Sequence, residues 1–230
     1  MDVNALRRRM LLQIAKQEQY VTNGLVLWLD GLNRGGVAGE WHDLIGTEVA
    51  TLTGEYTELT DGVDFYSGNG YGVFTSSHRI NYQNGSIEFA VELKAVETTG
   101  RPVCCIGGNY EIGGTIASKS GSTGPVIRFY YQNAGVKAWT LPNSEIGQLK
   151  FTASGNNARG IINGITADAY ENFSGMTPYS MYRLASRGDG NTKFKGIIHA
   201  LRVYNRQLTA DEMLNNQRLD NKRFNLGLTI

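Results

Sequence analysis

Apolar and polar positions alternate with a period of two along most of this chain. The clearest run is "GSIEFAVELKAV" (85–96), where Ile87, Phe89, Val91 and Leu93 fall on one face and Glu88, Ala90, Glu92 and Lys94 on the other. That is the pattern of a strand with one dry and one wet side. "GLVLWLDG" (24–31) is nearly continuous in apolar residues and ends on a turn signal, which predicts a buried strand. Further strands are expected near 48–53, within the aromatic and glycine-rich stretch 64–74, and at 101–107, 110–118, 125–132, 135–140, 147–154 and 179–186. In "ARGIINGITADAY" (158–170), Asn163-Gly164 is the preferred two-residue hairpin turn, because both positions tolerate positive φ.

Two stretches break this rhythm. In "FKGIIHALRVY" (194–204) both alternating sets contain apolar residues, so the strand is expected to be central and covered on both sides. Directly after it, "LTADEM" (208–213) opens a helix. Thr209 is the cap, Glu212 reaches back from three residues on, and Leu208 packs on Met213 as a staple. This helix is expected to run to about residue 219, with the tail "DNKRFNLGLTI" returning to the body. At the other end, "MDVNALRRRMLLQIAKQEQY" places Leu6, Met10, Leu11 and Ile14 on one helical face. The expected organisation is therefore a helical extension over 1–20 and one β-rich domain over 21–230, since no linker or repeat divides the remainder. A dozen or so short strands joined by glycine turns predict an all-β, two-sheet antiparallel sandwich.

Composition sharpens this in three ways. With 29 Gly and only 4 Pro spread evenly over 230 residues, turns rather than disorder explain the glycine; 12 Tyr, 8 Phe and 3 Trp supply a core. The net charge of +1 gives no global reason to expect nucleic acid or an anionic membrane as partner. The apolar run "MLLQIA" is too short and interrupted for a signal peptide and has no small-residue cleavage site after it, so a cytoplasmic or particle-assembled location is expected. No stretch is long enough for membrane insertion. The two cysteines, Cys104 and Cys105, are adjacent, read as reduced buried thiols, and lack the partners of a zinc site.

The chain resembles the laminin-G-like jelly rolls of the concanavalin A-like lectin/glucanase superfamily. Three motifs carry the resemblance: "GLVLWLDG" followed by "WHDLIG", the Asn-Gly hairpin in "IINGI", and the closing "FKGIIHALRVYNRQLTADEM". In order and spacing they cover about residues 24–220. The resemblance implies a jelly roll with a concave face used for glycans or protein partners, and it leaves calcium as a possible cofactor. It departs from the family at His199 and Ala200, where acidic residues are frequent. A helix ahead of such a module also looks like phage and prophage structural proteins, in which residues 1–20 would mediate oligomer or particle assembly.

Several residues are candidates for chemistry. Glucanases of the superfamily carry Glu-x-Asp-x-Glu on one strand face; here "EFAVE" keeps Glu88 and Glu92 but has Ala90 between them, and a solvated strand face explains the pair better than a hydrolase site. The chain is accordingly expected not to be an enzyme. Asp30, Asp43, Asp61 and Asp64 could offer oxygen to calcium, although no dense Asp-x-Asp loop exists. The histidines His42, His78 and His199 have no metal-ligand spacing, and the Arg-Gly-Asp in "RGDG" (187–190) reads as a turn. For a carbohydrate, the expected platform is Trp139 with Tyr130, Tyr131, Gln132 and Asn133, with Tyr110 and Tyr82 as further candidates. Trp28 and Trp41 are assigned to the core, and Arg202, Tyr204 and Arg206 to hydrogen bonds that hold the C-terminal helix to the sheet.

Overall fold

A computed structural model of the chain describes residues 19–66, 69–80, 85–93, 101–102, 114–116, 126–131, 134–140, 146–154, 157–162, 165–166, 179–186, 193–228 and 230; at 76–80 and 93–182 only the backbone of these is described. In the first half the strands are β1 (Leu25–Asp30), β2 (Glu40–His42), β3 (Val49–Thr53), β4 (Thr57–Glu58), β5 (Val63–Asp64), β6 (Tyr71–Ile80), β7 (Ser86–Leu93) and β8 (Arg101–Pro102). In the second half they are β9 (Gly114–Ile116), β10 (Val126–Tyr131), β11 (Ala134–Thr140), β12 (Ile146–Ser154), β13 (Asn157–Ile162), β14 (Ile165–Thr166), β15 (Tyr179–Leu184) and β16 (Gly196–Tyr204). One helix, α1 (Ala210–Arg223), follows. The fold is an all-β antiparallel sandwich with a short C-terminal helix. Of the helical extension expected over 1–20, residues 1–18 lie outside the described residues, and Gln19 and Tyr20 are not helical.

The larger sheet has eight strands in the order β14-β13-β12-β7-β16-β5-β4, with β1 also pairing β16. A four-stranded sheet, β15-β6-β3-β2, opposes it, and β11-β10-β9-β8 form a further ladder. Strand β16 is central: it pairs with β7 from Gly196↔Leu93 to Tyr204↔Ser86 along one edge, and with β1 and β5 along the other. All nine of its residues are buried, as its two-sided apolar pattern predicts. Alternation along β3 buries Ala50 and Leu52 and exposes Thr51 and Thr53. With Trp41, Phe74, Leu27 and Leu29, all buried, they fill the space between the layers. Trp41 also ties the layers together, its Nε1 donating to the carbonyl of Asp30 at 3.2 Å. The Asn-Gly hairpin closes between Ile162 and Ile165, which pair directly across a two-residue connection.

One expectation is overturned. The face of β7 that carries Glu88 and Ala90 is not wet, because α1 and the C-terminal tail lie over it. Ala90 and Ala200 pack with Phe224 and Leu226, and Glu88 is 1 % exposed. Sequence alternation separates the two faces of β7 correctly, but it cannot register a cover supplied from more than 120 residues away.

The helix itself starts as expected. Thr209 is the N-cap, its Oγ1 accepts from the Glu212 backbone N–H, and the Glu212 carboxylate accepts from the Thr209 N–H. Leu208 and Met213 share a cluster with Tyr204. The helix runs four residues beyond the expected end at 219, because Asp220 faces the sheet and its backbone carbonyl accepts from Phe224 N–H.

Candidate functional site

The charged residues of the closing segment converge under α1. Arg202 on β16 donates from Nε to Glu88 on β7 at 3.0 Å, from Nη1 to Asp220 on α1 at 2.9 Å, and from Nη2 to the other Asp220 oxygen. Asn216 donates to the same Glu88 oxygen at 2.8 Å and to the Tyr204 hydroxyl at 3.1 Å. Tyr20 donates to Asp220 at 2.7 Å, and the Arg202 guanidinium lies 4.5 Å from the centre of its ring. Burial opposes the charge of Arg202, but Asp220 and Glu88 outweigh it and hold the guanidinium firmly protonated. Burial first, then the charge of Asp220, pushes the Tyr20 phenol well above the ordinary tyrosine range; burial and Glu88 do the same to Tyr204. This network clamps a helix to a sheet. Glu88 is occupied as the partner of Arg202, so the Glu88/Glu92 pair does not present two carboxylates to a substrate.

Other sequence candidates are dispersed. Asp30 is buried and pairs with Arg223. Asp43 accepts from the backbone N–H groups of Trp28 and Ile45, which explains the "WHDLIG" motif as a turn lock. Asp61 lies beside His199, whose Nδ1 is 3.0 Å from the Asp61 carbonyl oxygen. Among the described residues, no group of three or more His, Cys, Asp or Glu could hold a metal ion. Trp41 is in the core, while Trp28 is half-buried with its ring edge-on to Tyr20 at 5.1 Å. Tyr130 and Tyr131 lie on β10 and Trp139 on β11, adjacent strands in which Trp139 pairs with Ile127 and Tyr131 with Ala134. Tyr82, Tyr110, Gln132 and Asn133 lie outside the described residues, as do Cys104, Cys105 and the Arg-Gly-Asp turn.

A cleft that sequence reading missed is built where β3 turns into β4. It is lined by Gly54, Glu55, Tyr56, Thr57, Asp64 and Tyr66 and has a volume of about 450 Å³, inside the roughly 300–1,000 Å³ of small-ligand sites. One lining residue, Gly54, is packed tightly against the neighbouring 69–70 segment. Gly54 has φ +79°, and a Cβ there would sit 2.3 Å from the Asn69 carbonyl oxygen; a Cβ on Gly70 would sit 2.3 Å from that of Glu55. The backbones of 54–55 and 69–70 can therefore touch, and the contact is reinforced by Asn69 Nδ2 donating to Glu55 at 3.0 Å. The floor is the β4–β5 ribbon, where Thr57 pairs with Asp64. Asp64 Oδ1 accepts from the Tyr66 N–H at 2.8 Å, which turns the chain and leaves the Tyr66 side 54 % exposed at the mouth. On the far side Glu58 accepts from Arg34 and from Gly39 N–H, both at 2.7 Å, so the ribbon is braced. Two tyrosines, a threonine and two carboxylates around an open cleft suit a polyol: ring faces meet C–H surfaces while oxygens bond hydroxyls. The only sequence signal was an acidic and aromatic bias, "GEYTELTDGVDFY" (54–66), around turn residues.

No family model matches the chain, and no curated protein does. Solved structures do. Trypanosoma rangeli sialidase is 13 % identical with a TM-score of 0.65, over 87 % of this chain and 33 % of its own. Domain 4 of AbnA, a GH43 extracellular arabinanase from Geobacillus stearothermophilus, in complex with arabinotriose, is 16 % identical with a TM-score of 0.56, over 82 % of this chain and 95 % of its own. The binding domain of botulinum neurotoxin DC, in complex with SialylT, is 14 % identical with a TM-score of 0.61, over 84 % of this chain and 51 % of its own. The chain spans about a third of the sialidase, so that likeness is to one part of the enzyme. At such identities these matches establish the fold.

Proposed function

We propose that this chain is a non-catalytic carbohydrate-binding module of the laminin-G-like jelly-roll type and that it takes sugar in the Gly54–Tyr66 cleft. The observation that carries the reading is the exposed Tyr66 ring at the mouth of a braced, polar cleft. The arabinanase domain adds weight, because it matches over nearly its whole length and was solved with an arabino-oligosaccharide. Titration with arabinotriose and lactose, followed by NMR shifts, tests it. The expected affinity is in the millimolar range, about −4 kcal/mol, with at least tenfold loss in Tyr66→Ala. No binding at tens of millimolar sugar, or binding that Tyr66→Ala leaves intact, overturns it. Trp139→Ala run in parallel separates this cleft from the β10–β11 platform.

A companion proposal concerns assembly into a phage-derived particle. Gln19 and Val21 are bonded to α1, through Asn215 Nδ2 to the Gln19 carbonyl at 3.0 Å and Val21 N–H to Asn216 at 3.0 Å. Whatever precedes residue 19 therefore leaves the domain from a fixed point and can orient it on a partner. Deleting residues 1–18 should lower the number of copies per particle measured in solution; an unchanged oligomeric state counts against assembly.

A further inference from the structure

Tyr56 is the second aromatic residue of the cleft and, unlike the exposed Tyr66, it is half-buried. Its hydroxyl ends beside the loop that joins β1 to β2: a Cβ built on Gly39 would lie 3.3 Å from that oxygen. Gly39 is held from two sides. Its carbonyl accepts from the Leu52 N–H on β3 at 2.8 Å, and its own N–H donates to Glu58 Oε1 on β4 at 2.7 Å. The other Glu58 oxygen accepts from Arg34 Nη1 at 2.7 Å, and Arg34 Nη2 donates to the Leu59 carbonyl at 3.0 Å. Arg34, outside the cleft lining, thus reaches Tyr56 through Glu58 and Gly39.

We propose that Arg34 is a positioning residue for sugar binding: through Glu58 it fixes Gly39, and Gly39 seats the Tyr56 hydroxyl, so that the ring is set before a ligand arrives. The role rests on the carbohydrate reading above. A binding event that must first order a side chain loses about two- to tenfold in affinity. A ring whose far end is already seated avoids that loss, and supporting contacts of this kind decide how precisely a site is held. Glycine is needed here on two counts. Gly39 has φ +77°, where other residues are strained, and its missing Cβ leaves the space that the hydroxyl occupies. Because one carboxylate serves both Arg34 and Gly39, losing the guanidinium loosens the loop beside Tyr56 while every lining residue stays in place.

The test titrates the full chain with arabinotriose and lactose, followed by NMR shifts. Arg34→Met should weaken whichever sugar binds by about two- to tenfold, and Arg34→Lys, which keeps a cation for Glu58, should recover most of the loss. The pair is partly exposed, so the variants stay folded, which circular dichroism verifies. Gly39→Ala and Gly36→Ala separate the seat from backbone strain: both glycines have positive φ, +77° and +74°, but nothing lies within 4 Å of a Cβ on Gly36. Gly39→Ala should weaken binding by about threefold more than Gly36→Ala and should alone shift the Tyr56 ring signals of the sugar-free protein. A loop that only supported the fold would make the two variants alike. Unchanged affinity in Arg34→Met, or Gly39→Ala no weaker than Gly36→Ala, overturns the positioning role while the carbohydrate reading stands. If neither sugar binds the unaltered chain, the carbohydrate reading falls and the role with it.

Discussion

Replacing Arg202 by methionine is the sharpest test of how this fold is held together. Methionine fills much of the same volume, so the packing loss is small and the charge loss dominates. The guanidinium and both its partners are essentially without solvent, with side-chain exposures of 0 % for Arg202, 1 % for Glu88 and 0 % for Asp220. Removing it strands two carboxylates between the sheet and α1. Breaking a buried pair in this way costs about 3–5 kcal/mol, a large part of the roughly 5–15 kcal/mol that a domain has. For a chain of this size the midpoint should fall by about 2–4 °C per kcal/mol, or roughly 6–20 °C. Urea unfolding followed by circular dichroism and tryptophan fluorescence measures it. Adding Glu88→Met should recover part of the loss, since one stranded carboxylate then disappears. The control is Arg206→Met, whose pair with Glu212 is partly exposed and should contribute under about 1 kcal/mol. A loss below about 1 kcal/mol for Arg202→Met, or a loss no larger than that of Arg206→Met, would refute the clamp.

Alkaline pH should weaken the fold in a defined window. Tyr20 and Tyr204 keep their protons in the folded state well above the ordinary range, so the unfolded chain binds fewer protons once pH passes about 10 and stability falls from there by up to about 1.4 kcal/mol per pH unit for each tyrosine. Tyr20→Phe should flatten that slope, and an unchanged slope would contradict the assignment. Thr209→Ala removes the cap oxygen bonded to Glu212 N–H and should cost about 1 kcal/mol, read from the urea midpoint. Gly54→Ala places a Cβ at a positive φ against the Asn69 carbonyl; it should destabilise by more than about 1 kcal/mol and weaken sugar binding, while Gly36→Ala, with nothing within 4 Å of its Cβ, should show the smaller effect. A chain starting at Gln19 should melt higher than one starting at Val21, because only the first keeps the Tyr20–Asp220 bond, a difference of about 1–3 kcal/mol.

The elements were legible because their signals are local. The period of two in 85–93, the two-sided apolar pattern of 196–204 and the Thr209–Glu212 capping box each depend on residues within a few positions of one another. The candidate site was much less legible. The Gly54–Tyr66 cleft brings residues 54–57 together with Asp64 and Tyr66, and its first residue, Gly54, packs against the 69–70 backbone, a contact that neither segment announces. The aromatic platform chosen from sequence is now placed only as strands: Trp139 sits opposite Ile127 on a hairpin that also carries Tyr130 and Tyr131. Glu88 shows the difficulty in one residue. Its position on the second face of β7 was readable, whereas its neutralisation by Arg202, 114 residues away, was not.

By itself, then, the sequence determined the alternating strands, the hairpin turn, the capped C-terminal helix and the sandwich class, since hydrophobic periodicity and capping are short-range and recur whatever surrounds them. Only the tertiary structure decided which polar face is buried and which loop residues meet. Those outcomes depend on α1 lying across β7 and β16 and on two glycine-permitted backbone contacts. The same glutamate is a solvated surface residue without the helix and one side of a buried ion pair beneath it.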